Sequence, residues 1–509
     1  MNQQADWRLD NQPSRQELEQ ALPDHYALRL EKTSTSHLVL LDDFDWRVWQ
    51  SGQLLIRDRK DNLLRLWREE EPPLEQPLAP AEARFWWQLP EGPLARALKK
   101  LLGVRAFVEK FACTLTTENL AVVNADDKIV TRLSCQQLEA EGIPARHFLS
   151  IRPLKGYLKD YTQILAALQV LDPQPLPALN LRQLLTESGL QGPPPEESGY
   201  ALNPATPAES TVLAMAQKML GVARRYEEGI IADIDTEFVH QYRVNLRKAR
   251  SLLKLFKKAL SANRYRALNA DLGALARATG DLRDLDVFLL GRNDFEQMLP
   301  RELRAGLSRV FTRIRQRRRR AHRKVAENLA GADYRVRIER LLSELQRDPE
   351  FGGKESECAI EPLVRAKILA QYHRICRMGG AIDDHSPDEA VHALRIECKK
   401  LRYLLELFAE FFPPKQLKGL TNRMKGLQDN LGHFNDCAVQ RSFMLQFLRG
   451  PKVDADLAAG INGLAAVLFN NQRLERSRVA ENISGLIDPK VRTRFEKLFA
   501  SADKEEPEP

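Results

Sequence analysis

The feature that most constrains this chain is an internal repeat in its C-terminal half. The segment VHQYRVNLRKARSLLKLF at 239–256 matches VHALRIECKKLRYLLELF at 391–408, at an offset of 152 residues. GDLRDLDVF at 280–288 matches GHFNDCAVQ at 432–440 at the same offset, and VAENLAG at 325–331 matches VAENISG at 479–485 at an offset of 154. Because repeated helical units bury a continuous core by packing together, the repeat predicts two copies of one helical unit around a pseudo-twofold axis.

Two stripes of side chains follow helical spacing in each copy. Apolar residues step by four and three positions, which predicts a buried face, and Cys398 falls on it as a core residue. This apolar stripe contains Tyr242, Leu246, Ala249, Leu253 and Phe256 in the first copy and Leu394, Cys398, Leu401, Leu405 and Phe408 in the second. Basic residues step the same way beside it. This basic stripe contains His240, Arg243, Arg247, Arg250 and Lys254 in the first copy and His392, Arg395, Lys399 and Arg402 in the second.

The basic stripe predicts a bound anion. Cations stacked at i,i+4 repel each other by a few tenths of a kcal/mol per pair, whereas an anion along the helix would be held by guanidinium groups in bidentate fashion. The alternative is that acids on neighbouring helices neutralise the stripe, and Glu406 already replaces its final lysine in the second copy. The helix around 309–324 extends the predicted anion site through Arg313, Arg317 and Arg320.

The lead histidines, His240 and His392, have no second histidine or carboxylate at i+4, so a zinc site is unsupported. We expect them to donate hydrogen bonds to the same anion. No metal site, cofactor or catalytic residue is predicted.

Charge is distributed unevenly along the chain. Residues 1–210 carry 23 basic and 29 acidic side chains, residues 211–500 carry 53 and 36, and residues 501–509 carry 1 and 4; the net charges of −6, +17 and −3 sum to +8. A basic body favours a polyanion as partner, although a solvated basic surface is the alternative. The six cysteines form no C-x-x-C pair, and no apolar run is long enough for a signal peptide or a membrane span. We therefore expect a cytoplasmic protein.

The chain divides into an α+β half and an all-α half. Short apolar runs bounded by Gly, Asn and Asp predict strands mixed with helices over 1–170, and a proline-rich stretch predicts a linker over 171–208. The first helical repeat is placed at 209–355, the second at 356–500, and an acidic tail at 501–509.

The repeated motif V-H-x-x-R-x-x-x-[RK]-x-x-R-x-x-L-x-L-F resembles that of the CHAD family, the conserved-histidine α-helical domain. The resemblance covers about 209–500. It implies two four-helix bundles around a pseudo-twofold axis, a basic central cavity that binds inorganic polyphosphate, association with polyphosphate granules, and no catalysis by this domain. The family's histidine and basic residues map onto the basic stripe without Lys254, and Arg247 of the first copy is matched by Lys399 of the second.

The segment FDWRVWQSGQLLIRDR at 44–59 resembles the CYTH or triphosphate-tunnel fold, with Arg57 and Arg59 as its tunnel arginines. In that family glutamates of an E-x-E-x-K strand hold the catalytic metal. Here HYALRLEK places Leu28 and Leu30 at those positions and only Lys32 matches, while FLSIRPL places Ser150 and Arg152 in a later strand. Since divalent ions need oxygen ligands, this resemblance implies a degenerate domain without catalysis.

Polyphosphate binding with granule targeting is therefore the favoured function. The alternatives are an inorganic triphosphatase acting through the N-terminal domain and a nucleic-acid-binding protein. Nucleic acid is disfavoured because few aromatic side chains accompany the basic stripe, so base stacking has little support. A membrane partner is not expected.

Overall fold

A computed structural model describes residues 4–68, 71–78, 80, 82–176, 179–187, 189–190, 192–193, 199–383, 385–450 and 453–500. The chain forms two compact units, 1–196 and 197–509. The predicted acidic tail at 501–509 lies outside the described residues.

The N-terminal unit is built on a nine-stranded antiparallel sheet. Its strands are β1 (Ala5–Leu9), β2 (Ala27–Asp42), β3 (Leu54–Asp58), β4 (Leu63–Arg68), β5 (Glu71–Pro77), β6 (Val108–Val123), β7 (Ile129–Ala140), β8 (Ile143–Pro153) and β9 (Gln174–Leu176). Their order is β5-β4-β3-β2-β6-β7-β8-β1-β9. The long strands β2 and β6 form the centre of the sheet and pair over nearly their whole length.

The described residues of this unit also form five α-helices: α1 (Arg15–Ala21), α2 (Arg47–Gln50), α3 (Pro93–Leu102), α4 (Leu158–Ala167) and α5 (Leu181–Glu187). Leu18 of α1 and Ile164 of α4 pack in one apolar core with residues from β1, β2 and β6 to β8. A second core gathers around Leu94 and Leu98 of α3. A third places Leu184 of α5 against residues of β2, β3 and β6 to β8. Alternation along the strands thus gives the sheet two buried faces.

The predicted linker over 171–208 is wrong in its first part. Residues 174–176 form β9, which pairs with β1, and α5 buries Leu184 and Leu185. Pro175 lies in this edge strand, where a missing N–H does not interrupt a ladder. The boundary between the units falls after residue 196. Pro177, Pro194 and Pro195 lie outside the described residues.

The C-terminal unit is helical. Its helices in the first half are α6 (Ala208–Arg224), α7 (Glu227–Ile231), α8 (Thr236–Leu255), α9 (Ala262–Ala278), α10 (Gly280–Leu290), α11 (Arg292–Gln297), α12 (Arg301–Ala330) and α13 (Ala332–Gln346). Those in the second half are α14 (Ile360–Gly380), α15 (Asp388–Leu407), α16 (Pro414–Gln446), α17 (Ala455–Ile487) and α18 (Pro489–Phe499). Among the described residues, no helix combines the length and the apolar character needed to cross a bilayer.

The helix boundaries confirm the duplication. Helices α6, α8 and α9 begin at residues 208, 236 and 262, and α14, α15 and α16 begin 152 residues later at 360, 388 and 414. Helix α12 begins at 301 and α17 at 455, an offset of 154. The copies differ after α9, because the first copy breaks into α9 and α10 where the second continues as the single helix α16.

Contacts between equivalent residues place the pseudo-twofold axis. The N–H of Ala208 donates to the carbonyl of Cys358, and the N–H of Ile360 donates to that of Thr206. Ala208 is equivalent to Ile360 and Thr206 to Cys358 at the 152-residue offset, so each copy makes the same hydrogen bond to the other. The rings of Phe256 and Phe408, another equivalent pair, lie 5.4 Å apart. Reciprocal contacts of this kind are what a twofold arrangement requires.

Helices α12 and α17 cross at a further equivalent pair, Gly306 and Gly460. A Cβ atom on Gly306 would lie 2.0 Å from the carbonyl oxygen of Asp456, and one on Gly460 would lie 2.9 Å from that of Leu303. The absence of side chains at these two positions lets the backbones approach. The two copies thus share one packed core rather than lying side by side.

Candidate anion site

Helices α8 and α15 carry the predicted stripes, and their apolar stripe is buried as predicted. Every member of it, from Tyr242 to Phe256 and from Leu394 to Phe408, is at most 1% exposed. Cys398 is among them, and burial raises the pKa of its thiol to about 12, as expected for a core cysteine. Since this face of each helix points into the core, the basic stripe beside it lies at the core's edge.

The two basic stripes meet. Helices α8 and α15 are in contact, and Arg247 of α8 acts electrostatically on residues of α15. Burial lowers the pKa of Arg395, and the charge of Arg247 lowers it further. Burial likewise lowers the pKa of Lys399 to about 8, with contributions from Arg395, Arg247 and Arg402. Arg247 and Lys399 are equivalent under the 152-residue offset, so the cations converge near the pseudo-twofold axis.

Arg283 of α10 also belongs to this group. Burial lowers its pKa, and Arg247 is among the charges that lower it further. Arg243 is held at the break between α9 and α10, where its Nη1 donates to the carbonyl of Ala276 and, at 3.1 Å, to Oγ1 of Thr279. We call the resulting set the axial cluster: Arg243, Arg247, Arg283, Arg395, Lys399 and Arg402.

Two acids lie within the axial cluster. Asp284 raises the pKa of Arg243 against the effect of burial, and Asp436 does the same for Arg395. They are equivalent residues, since 284 + 152 = 436. Glu237 and Asp286 also act on Arg283, and Glu406 is paired with Arg402, so five carboxylates face the six cations. The cluster is therefore only partly neutralised from within.

Several guanidinium nitrogens at this site are buried and have no hydrogen-bond acceptor among the described residues. They are Nε of Arg250, Nη1 of Arg283, Nε of Arg395 and Nε of Arg402. Nε of Arg402 itself lies 3.4 Å from a carboxylate oxygen of Glu406, an ion pair without hydrogen-bond geometry. Because buried donors are nearly always satisfied in folded proteins, the unsatisfied Nε donors of Arg250 and Arg395, one on each stripe, indicate a site for an acceptor.

The histidines occupy equivalent positions near the N-terminal ends of α8 and α15. Nδ1 of His392 lies 3.0 Å from Oδ1 of Asn435, and Asn435 is the equivalent of Arg283. His392 is exposed and His240 is half-buried. Both stand on the same helical faces as the axial cluster, at its edge.

Of the remaining predicted residues, Arg317 acts on Asp284 of the axial cluster and lowers its pKa against the effect of burial. Lys254 is exposed near the C-terminal end of α8, and Arg320 is exposed on α12. Arg317 makes an ion pair with Asp281 at 2.6 Å, so the neutralised alternative holds for that residue. Arg313 is half-buried on α12. Acids on neighbouring helices thus neutralise part of the basic face of α12.

Sequence reasoning missed Arg283 as a site residue. The repeated segment GDLRDLDVF marked its surroundings as a landmark, but the equivalent residue in the second copy is Asn435 rather than a cation. A comparison restricted to matching charges therefore passes over it. Its place in the repeated segment, directly before an aspartate that both copies share, was the available signal.

In the N-terminal unit, the predicted triphosphate residues do not share one surface. Leu28 is buried in the core against α1 and α4, and Leu30 is 47% exposed. A β-bulge between Leu30 and Lys32 places Lys32 on the opposite face of the sheet, because one extra residue reverses the alternation of side chains.

The remaining positions there are engaged in contacts within the unit. Ser150 donates to Oδ1 of Asp6 at 2.6 Å. Arg57 donates to Asn62 at 3.0 Å, and Arg59 is ion-paired with Glu109 at 3.1 Å. No group of three His, Cys, Asp or Glu side chains with the arrangement of a metal site occurs among the described residues.

Two curated proteins are similar to this chain in sequence. The chain is 25% identical over 332 residues to uncharacterised proteins from two strains of Mycobacterium tuberculosis, which covers 63% of this chain and 54% of theirs. It thus spans about half the length of the curated relatives it matches.

Among solved structures, similarity extends to the CHAD domain from the plant Ricinus communis, with 21% identity, 58% of this chain and 98% of that chain covered, and a TM-score of 0.47. A second similar structure is that of a putative adenylyl cyclase from Hippeastrum described as having a dominant triphosphatase activity. It is 14% identical in sequence, the match covers 38% of this chain and 98% of that chain, and the TM-score is 0.26. The family model of the CHAD domain matches residues 214–445, which include α8, α15 and every residue of the axial cluster. The helical unit of this chain therefore contains a CHAD domain.

Proposed function

We propose that this protein binds inorganic polyphosphate at the axial cluster and that this binding targets it to polyphosphate granules. The observation that carries the proposal is the convergence of equivalent cations from both repeats. Arg247 lies near enough to Arg395 and Lys399 to lower their pKa values. Folding therefore brings like charges together at an energetic cost, and an anion that enters between them removes that cost.

A phosphate polymer fits this site better than a nucleic acid does. Guanidinium groups present donors that match phosphate oxygens, and the buried Nε atoms of Arg250 and Arg395 have no acceptor among the described residues. Tyr242 is buried in the core and Tyr403 is nearly so, so neither presents a free ring face for base stacking. The ligand we expect is a linear polyanion recognised by charge and phosphate geometry.

The direct test is a titration of the full chain with long-chain polyphosphate. We expect the double variant R247Q/R395Q to lose at least about a hundredfold in affinity, since each of the two charge-assisted contacts is worth about 1.5–3 kcal/mol. The control is R309Q/R492Q, which removes the same formal charge from arginines paired with Asp454 and Glu496. Equal losses in both variants would reduce the effect to net charge and refute the assignment.

The same pair of variants tests granule targeting in cells. A fluorescent fusion of the wild type and of R309Q/R492Q is expected to colocalise with polyphosphate granules, whereas R247Q/R395Q is expected to disperse. RNA added at equal phosphate concentration should displace bound polyphosphate poorly. Displacement of equal strength would favour a nucleic-acid ligand.

We also propose that the N-terminal unit does not hydrolyse triphosphate. The support is the placement of Leu28 in the core and of Ser150 against Asp6, at positions where the CYTH resemblance expects metal-binding carboxylates. The carboxylate of Asp6 itself accepts hydrogen bonds from Gln4, Ser150 and the N–H of Leu179. Phosphate release from tripolyphosphate with Mg²⁺ or Mn²⁺ is expected to equal the buffer rate, and release that requires the protein would overturn this proposal.

A further inference from the structure

Lys399 is chemically distinct from the other members of the axial cluster. It is the one lysine among five arginines, and its equivalent in the first repeat is Arg247. The side chain is half-buried, and no ion pair to a carboxylate is formed by its Nζ among the residues that the structure describes. An amine therefore stands in a group of guanidinium charges that attract phosphate.

Two other lysines show what is particular to this position. Lys400 follows on the same helix, but its Nζ donates to Glu397 at 2.7 Å. Lys110, in the N-terminal unit, is also partly buried, which lowers its pKa, but Asp42, Asp43 and Asp45 act on it and its Nζ lies 4.8 Å from the ring centroid of Trp46. Lys400 is thus an ion-paired amine, and Lys110 is a desolvated amine in acidic surroundings.

We infer that Lys399 is a site of acylation by small acyl phosphates. The phosphoryl end of such a molecule would bind Arg247 and Arg395, which places its carbonyl carbon beside the Lys399 amine. The inference rests on the proposed function in one respect, namely that the axial cluster admits a phosphate group.

The reaction balances without a further reactant. The lone pair of the neutral ε-amine forms a bond to the carbonyl carbon, the bond from that carbon to the phosphate oxygen breaks, and inorganic phosphate leaves with the electron pair. The amine proton passes to solvent or to the departing phosphate, and nothing is oxidised or reduced. The product is an uncharged amide, so acylation removes one positive charge from the cluster and should weaken polyphosphate binding.

The expected selectivity follows from the fraction of neutral amine. At pH 8 a lysine of pKa about 8 is half neutral, whereas an ordinary lysine is neutral in roughly one molecule in 200. A less basic amine is also a weaker nucleophile, and a Brønsted coefficient of about 0.4–0.5, as for thiols, reduces the gain by roughly tenfold. Roughly tenfold selectivity for Lys399 over a lysine of ordinary pKa remains before any recruitment by the arginines is counted.

The test incubates the full chain with acetyl phosphate at pH 8 and measures acetylation at each lysine by peptide mass spectrometry. A parallel incubation uses the uncharged ester N-hydroxysuccinimidyl acetate. We expect acetyl phosphate to modify Lys399 at least tenfold faster than Lys400 or Lys110, and tripolyphosphate to protect it. With the uncharged ester, the acetylation rate of Lys110 should approach that of Lys399, because the acidic surroundings of Lys110 do not repel an uncharged reagent.

The variant R247Q separates recruitment from nucleophilicity. It should slow the reaction of Lys399 with acetyl phosphate more than that with the ester, since any change in amine basicity affects both reagents alike. Acetylation of Lys399 no faster than of Lys400, or an equal effect of R247Q on both reagents, would overturn the inference. Polyphosphate titration of the same samples reports on the proposed function separately, because binding without selective acetylation removes only this inference.

Discussion

Replacement of Lys399 by methionine should stabilise the protein in the absence of a ligand. Methionine keeps the length of the side chain and its apolar stem but removes the charge. Burial and the charges of Arg395, Arg247 and Arg402 lower the pKa of Lys399 from 10.5 to about 8, against a smaller opposing effect of Asp436. The charged amine therefore disfavours the folded state.

The size of the expected stabilisation follows from the lowered pKa of Lys399. A lowering of about 2.5 pKa units corresponds to about 3.4 kcal/mol at 1.36 kcal/mol per unit. Partial exposure to solvent screens this energy, so we expect K399M to raise the free energy of unfolding by about 1–3 kcal/mol at pH 7. The gain is fully present below pH 8, where the lysine is charged in both states, and vanishes as the pH rises to 10.5 and both states become neutral.

The assay is urea unfolding of the full chain followed by helical circular dichroism, at pH 7 and at pH 10. The control is K400M, which breaks the ion pair with Glu397 and should be neutral or destabilising. In saturating tripolyphosphate the wild type should have the higher free energy of unfolding, since the lysine charge stabilises the bound anion. If K399M is less stable than the wild type at pH 7, the cluster does not store electrostatic repulsion and our reasoning about the site is wrong.

Three further outcomes follow from the helical unit. The ion pair of Glu209 with Arg264 is fully buried, at 3.2 Å, so E209Q should lower the free energy of unfolding by about 3–5 kcal/mol because it leaves a buried guanidinium unpaired; a loss below 1 kcal/mol in urea unfolding would contradict this. Gly460→Ala should cost at least about 1–3 kcal/mol through overpacking at the helix crossing, whereas Gly485→Ala on the same helix, with open space around it, should be neutral or stabilising; similar melting temperatures for the two variants would argue against the crossing. R247Q alone should reduce the slope of log affinity for polyphosphate against log salt by about one, as loss of one phosphate contact does for nucleic acids, and an unchanged slope would remove Arg247 from the site.

Much of the helical unit could be predicted from local pattern. The 152-residue offset is a property of the sequence, and the structure reproduces it in the starts of α6, α8 and α9 against α14, α15 and α16. The spacing of Tyr242, Leu246 and their successors requires one buried face on any helix, because 3.6 residues complete a turn. The basic stripe beside it follows from the same arithmetic.

Sequence pattern was less informative about a side chain whose partners are distant in the chain. Arg317 belongs to the same helical face as Arg313 and Arg320 in the sequence, yet Asp281, 36 residues earlier, neutralises it. Arg283 enters the axial cluster although its repeat partner is Asn435. In the N-terminal unit, a single β-bulge separates Leu30 from Lys32, and no spacing rule predicts where a bulge falls.

The sequence by itself determined that this protein has two copies of a helical unit, each with an apolar face and a cationic face, because those features depend only on residue order and helical periodicity. The tertiary structure decided that the cationic faces meet. Helices α8 and α15 meet where the equivalent residues Phe256 and Phe408, at their C-terminal ends, pack together. Shape complementarity between residues more than 150 positions apart sets that geometry, and it leaves no periodic trace in the chain.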